Sequence, residues 1–325
     1  MTLTRWVTGR RIGGVILLIA AVFPWTVNPF EVSLVAKTLT FAMLAVSLDL
    51  IWGVAGILSF GHAAFFGVGA YAVGLITRDN AGAGAGLLGL LVAIGLAALL
   101  ALALGYFTFY GGVSGAYFAI ITLAVSLMLT QLAQTWVGLT GGHNGLYPVP
   151  FLTLGIPGIA EFTFDTDIRI YYLTLALLIL VFLLSRAVIR SGFGQALVAM
   201  ESDESRVRFL GYDTRRLKLL VFTLSGAIAG MAGGLYAPMV GFVNPGILGL
   251  LLSTQVIIWV ALGGRGTLVG PIVGALAIAF LEDYLSGTFV NVWLLVLGLL
   301  VLLIALFRPQ GLLGGQTVRR LTGVG

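Results

Sequence analysis

Ten apolar runs of membrane-spanning length follow one another along this chain, at about 12–27, 32–52, 57–77, 86–109, 116–138, 168–185, 219–240, 247–264, 266–283 and 289–307. A bilayer crossing takes about 20 mostly apolar residues, because 1.5 Å of rise per residue has to cover roughly 30 Å of hydrocarbon. Ten crossings use about two thirds of the 325 residues and leave little for any soluble domain. With only 9% of residues charged, the chain also lacks the groups that would cover a water-facing surface. The expected fold is an all-α polytopic membrane protein with about ten transmembrane helices. Re-entrant pieces are an alternative within 57–77 and 247–283. The first run follows Arg10-Arg11 without a clear small-x-small cleavage site, so it reads as an uncleaved span.

Basic residues fix the sidedness. Placing the N-terminus in the cytoplasm puts 1–11, 186–218, Arg265 and 308–325 inside, which gathers 14 of the 17 Lys and Arg there. Such an excess is what the positive-inside rule requires, so the net charge of +5 reports topology rather than nucleic-acid binding. Both termini are expected in the cytoplasm.

Two polar loops are long. The inner one, 186–218, carries seven basic and four acidic groups. Phe193, Ala196, Leu197 and Met200 fall at i, i+3, i+4, i+7, so a helix there has one apolar face. Ser202 or Asp203 caps a second short helix, Gly211 stops it, and Asp213 or Thr214 caps the next span. An amphipathic helix held between two spans reads as a docking element for a partner, with Met200 as its apolar anchor; a helix lying on the membrane surface is the bland reading. The outer loop, 139–167, runs through Gly141, Gly142, His143, Asn144 and Gly145; Asn-Gly there also suits a plain structural turn.

Enzyme chemistry finds little support. Gly112-Val113-Ser114-Gly115 has the form of an intramembrane serine protease motif, but His143, its base in reach by sequence, lies a full span away. No cysteine is present and there are two histidines, which argues against a metal site. Gly311-Leu312-Leu313-Gly314-Gly315-Gln316 is like an ATPase signature loop, yet no phosphate loop accompanies it. No catalytic residue is assigned, and no cofactor is expected on this chain. Asp49 and Glu282-Asp283 lie near span ends, where a snorkelling or interfacial role is expected over an ion-coupling one. His62, after Ser59-Phe60-Gly61, is expected to be buried on a backbone or hydroxyl partner.

Glycines mark close helix contacts. Gly226, Gly230 and Gly234 share one helix face, as do Gly270 and Gly274, giving either packing within the chain or a seam between subunits. A faint echo pairs 51–72 with 258–279, through Ile51/Ile258, Trp52/Trp259, Gly56/Gly263, Gly67/Gly274, Ala70/Ala277 and Ala72/Ala279, and suggests that the two regions face each other.

Five stretches carry a family resemblance: Leu48–Gly53 with Leu58–Gly67, Gly115–Leu123, Leu139–Leu146, Phe193–Leu197 through Leu210-Gly211-Tyr212, and Trp259–Gly270. Over nearly its full length the chain resembles the M-type permease subunit of ABC importers for branched-chain amino acids, a group that includes urea and short-chain amide importers. The resemblance implies one permease domain over 1–325. It also implies a heterodimer with an H-type permease in the inner membrane of a prokaryote, two cytoplasmic ATPases that bind ATP and Mg, and an extracytoplasmic solute-binding protein. Phe193, Gly194, Ala196, Leu197, Met200, Glu201, Glu204, Leu210 and Gly211 would then couple to an ATPase, and 141–145 would face the binding protein or the path. Ser59, His62, Phe65, Trp259 and Arg265 are candidates for pathway or packing. The chain departs from the family where Glu201 stands, a position that is commonly basic. The stretch Glu204-Ser205-Arg206-Val207, with 258–268, is also similar to urea-importer permeases. A stand-alone channel or secondary carrier is the remaining rival.

Overall fold

The computed structural model describes residues 18–79, 82–156, 160–288, 295, 298–299, 302 and 311–313. Its main helices are α1 (Pro29–Ala55), α2 (His62–Arg78), α3 (Ala83–Gly105), α4 (Ala116–Thr135), α5 (Asp167–Arg190), α6 (Gly192–Ser202), α7 (Glu204–Phe209), α8 (Thr214–Val240), α9 (Leu250–Gly263) and α10 (Val269–Thr288). Of the described helices, five are long and apolar enough to cross a membrane: α1, α3 with the π-turn Tyr106–Tyr110 that extends it, α4, α5 and α8. The molecule is thus a polytopic, essentially all-α membrane protein. Of the first expected span, residues 18–22 are helical and Phe23–Trp25 form a 3-10 turn; most of the last one lies outside the described residues.

At the centre stands α1, with 83% of its most apolar stretch buried, against 28% for α3, α4 and α5. The reason is its neighbours: α5, α8, α9 and α10 all pack on it. The bundle's other seam joins α8 to α2 and α3. A Cβ at Gly226 would strike Ala101, one at Gly230 would strike Ala97, and one at Gly234 would press on Val73 and Ala93. That face therefore serves contacts within the chain, not a seam between subunits. Gly274 does the same for the α9–α10 hairpin, where a Cβ would collide with the Trp259 carbonyl, and Gly270 is closed off by the Gly263 and Gly264 carbonyls.

Two expected spans are shorter than their apolar runs. The run 57–77 is not one helix, because Gly56 takes φ +72° and stops α1, and the chain stays non-helical until Gly61. α2 then starts at His62, level with Ser47, which is eight residues before the end of α1. It begins about 12 Å short of the end of α1, at 1.5 Å per residue. α9, with 14 residues, also begins at depth, since the Ala63 amide donates to Ser253 Oγ in its first turn. The echo between 51–72 and 258–279 has a structural counterpart: each region is helix, break, helix. His62 and Val269 open the second helices at the offset that pairs Trp52 with Trp259. The two regions do face each other, because Asp49 and Trp52 bond the backbone and side chains of 265–268.

Helix α5, at about 1.5 Å per residue over 24 residues, separates two ends of the bundle by roughly 36 Å. One end carries α6, α7 and Arg265, with eight basic residues; the other carries 139–166, where sequence reading gave only a polar loop and the structure has a small antiparallel hairpin, β1 (Thr153–Ile156) and β2 (Ala160–Thr163).

Candidate functional site

A cavity of about 740 Å³ opens between the α1–α2 break, the start of α4 and the α6–α7 loop. Ile57, Leu58 and Phe60 form one wall, Phe118, Ala119, Ile120 and Leu123 another, and Met200, Glu201, Glu204 and Lys218 the basic-end rim. Toward the other end the floor is closed by bonds at mid-depth. The Phe60 amide donates to Thr122 Oγ1 (3.2 Å), the Ala63 amide to Ser253 Oγ (3.2 Å), and Ser126 Oγ to the Leu248 carbonyl (2.5 Å). Beyond them Tyr71, Ala133, Leu146, Val149, Val243 and Leu248 pack into a separate apolar cluster.

The α6–α7 loop folds as its caps dictate. Ser191 Oγ accepts from the Gly194 amide, Asp203 from Arg206, and Asp213 from Arg215 and Arg216, so each orphan helix start has its acceptor. The Asp203 carboxyl is held below its ordinary value by the Ser205 hydroxyl and then the Arg206 amide. Burial pushes the Glu204 carboxyl up, but the hydrogen bond and charge of Lys218, at 2.7 Å, outweigh it and bring it below the usual range.

The apolar face of α6 was expected to meet a partner, but Gly194, Ala196, Leu197 and Met200 are buried in the chain's own core, and Phe193 is half-buried. An apolar stripe on a short helix is satisfied by the nearest apolar surface, and α1, α5 and α8 supply it. The exposed apolar groups lie at the end of α7 and just after it: Phe209 is 92% exposed, Leu210 74% and Tyr212 52%. Phe209 and Tyr212 were missed because no periodicity marks a three-residue tip.

Arg265 joins three elements. Its Nη2 lies 3.0 Å from Glu201 Oε1, its Nε donates to the Trp52 carbonyl at 3.0 Å, and its guanidinium sits 5.3 Å from the Trp52 ring centroid. Behind it, Asp49 is fully buried, not snorkelling: Oδ1 accepts from the Gly266 amide (2.6 Å) and Oδ2 from the Leu268 amide (3.0 Å). The clamp holds Leu268 at φ +58°, a left-handed conformation that a leucine rarely adopts.

His62 is buried as expected, with Nε2 at 2.8 Å from Ser47 Oγ and 3.3 Å from Ser225 Oγ. Phe65 is a core ring edge-on to His62 and Phe222, and Trp259 packs tilted against Phe41 at 5.3 Å between ring centroids. Ser59 is buried as well. None of these four lines the cavity. Ser114 lines the cavity while His143 belongs to the opposite end, so no serine–histidine pair forms. In the outer loop Gly141, Gly142 and Gly145 take positive φ, and Leu146 pairs with Val243 as an isolated bridge. His143 and Asn144 are exposed there.

A bundle with broken helices, a largely apolar cavity and a capped polar loop at one end is a membrane permease in its architecture. The comparisons specify which. The profile of the family described as "Branched-chain amino acid transport system / permease component" matches residues 31–306, and the chain belongs to that family. It is 31% identical over 319 residues to the high-affinity branched-chain amino acid transport system permease protein LivM of Escherichia coli (strain K12), covering 92% of this chain and 73% of that one. Its likeness to LivH of Salmonella typhimurium is 28% over 293 residues, covering 86% and 93%. A probable LivM of Methanocaldococcus jannaschii is 25% identical, covering 84% and 90%. No solved structure matches the chain. The chain is thus an M-type permease subunit of the ABC importer class.

Proposed function

We propose that this chain is half of the translocation unit for branched-chain amino acids in an inner membrane, paired with an H-type permease and driven by two ATPases that bind ATP and Mg. The relatives are named for branched-chain amino acid transport, which supports these solutes over urea or short-chain amides. The finer topology in this reading is ten spans with both termini and the α6–α7 loop in the cytoplasm, and the external 139–167 loop facing a solute-binding protein. The eight basic residues at the loop end support it.

The exposed tip of Phe209, Leu210 and Tyr212 carries the coupling argument. A soluble partner that covers it removes apolar area from water, and motion of the tip passes through α7 and α6 to Glu201, Arg265 and the end of α1. The cavity, rimmed by the coupling loop and closed at mid-depth, fits a resting state open to the cytoplasm. Against an ion-coupling role for Asp49, the fully buried carboxylate at the helix break, both of its oxygens are committed to backbone donors.

The test is leucine uptake into vesicles holding the assembled importer. Phe209→Ser with Leu210→Ser is expected to abolish ATPase association while the permease still inserts and melts normally. Uptake that persists with catalytically dead ATPases sinks the importer reading; ATPase retention by the double variant sinks the tip.

A further inference from the structure

The cavity rim holds an ion pair that the coupling role leaves unexplained. Lys218, in the first turns of α8, is 13% exposed at its side chain and hydrogen-bonds Glu204 Oε2 at 2.7 Å. A lysine ammonium has three donors, and Glu204 is its sole acceptor among the described residues. Glu204 Oε1 is held by Arg208 (3.2 Å), and Glu201 commits Oε1 to Arg265. The cavity wall facing this cluster is apolar, with Phe118, Ile120 and Leu123 among its residues. At about 740 Å³ the space is of the size that small-molecule sites have.

Resting on the importer reading above, we propose that this rim is a zwitterion-binding subsite for the amino acid on its way out of the permease. The carboxylate of the solute takes the remaining donors of Lys218, its ammonium takes the carboxylates of Glu201 and Glu204, and its branched side chain lies on the apolar wall. Lys218 and Glu204 sit side by side, as do the two charges of an α-amino acid, so their pair need not break for the ligand to join it. A zwitterion satisfies both signs at once, which an isolated carboxylate or ammonium does not. Urea has neither charge nor apolar tail and gains little here. Partly exposed charges and an open mouth make the site weak, which suits release.

The chain contains no cysteine, so one introduced thiol reports alone on this subunit. Ser114→Cys places it on the cavity wall at an exposed position. In the assembled, ATP-free complex, maleimide labelling of that thiol is expected to slow severalfold in millimolar leucine. 4-Methylpentanoate, leucinamide and urea should not slow it. Lys218→Met in the same background should label at the unprotected rate with or without leucine, and Glu204→Gln should weaken the protection. Protection given equally by urea or 4-methylpentanoate, or surviving Lys218→Met, overturns the subsite, as does an absence of protection by leucine. Should Lys218→Met fail to assemble, Glu204→Gln decides: full protection there overturns it too. ATP-dependent leucine uptake measured on the same vesicles keeps the two readings apart, because normal uptake without protection removes the subsite and leaves the importer standing.

Discussion

Replacing Asp49 by alanine removes the two acceptors that hold the α9–α10 hinge. The Gly266 and Leu268 amides, 2.6 and 3.0 Å from its oxygens, would remain buried with nothing to accept them. An orphaned buried donor costs about 1–3 kcal/mol, so the pair predicts a loss of about 2–6 kcal/mol. The left-handed Leu268, whose conformation costs roughly 1–2 kcal/mol, would also lose what imposes it. Asparagine retains one acceptor and turns an amide nitrogen toward the other donor, so Asp49→Asn should fall between wild type and Asp49→Ala. Thermal unfolding of the detergent-solubilised chain reads the order directly, with a downward shift of several degrees expected for alanine, since a large chain moves about 2 °C per kcal/mol. A melting point for Asp49→Ala equal to wild type refutes the clamp. Asp49→Asn that melts normally yet abolishes uptake would refute it differently, by making Asp49 a coupling-ion site.

Two further changes separate packing from coupling. Gly233→Ala should destabilise by about 1–3 kcal/mol or more, because its Cβ would collide with the Phe66 carbonyl on α2, whereas Gly95→Ala meets open space and should melt at or slightly above wild type. Equal melting points for the two would mean that the α8–α2 seam is looser than its geometry. Glu201→Gln breaks a pair whose side chains are 39% and 41% exposed, so stability should move by less than about 1 kcal/mol. Leucine transported per ATP hydrolysed should nonetheless fall, and an unchanged ratio would remove the Glu201–Arg265 contact from the coupling path.

How much of this was legible beforehand follows from the range of each interaction. Membrane spans are written in runs of apolar residues, so their presence emerged from the sequence without tertiary information, while sidedness is read from the placement of Lys and Arg and belongs to the proposed topology. Helix caps are equally local, and Asp203 and Asp213 stood among the residues named for them. The misreadings involve partners that sequence cannot align. Asp49 looked like an interfacial acid because its acceptor role depends on backbone amides more than 200 residues away. Met200 looked like a docking anchor because an amphipathic stripe does not say whether its apolar cover is foreign or belongs to the same chain. The non-helical stretch from Gly56 to Gly61 stood open as a re-entrant alternative within 57–77, since hydropathy measures partition and not backbone conformation. The errors at Asp49 and Met200 share one direction, assigning to water or a partner what the fold satisfies within the chain. Glu201 shows why. Taken alone, it was a departure from a commonly basic position; set opposite Arg265 on the hinge, it becomes the contact that ties the end of α6 to the break in the helices that wall the cavity.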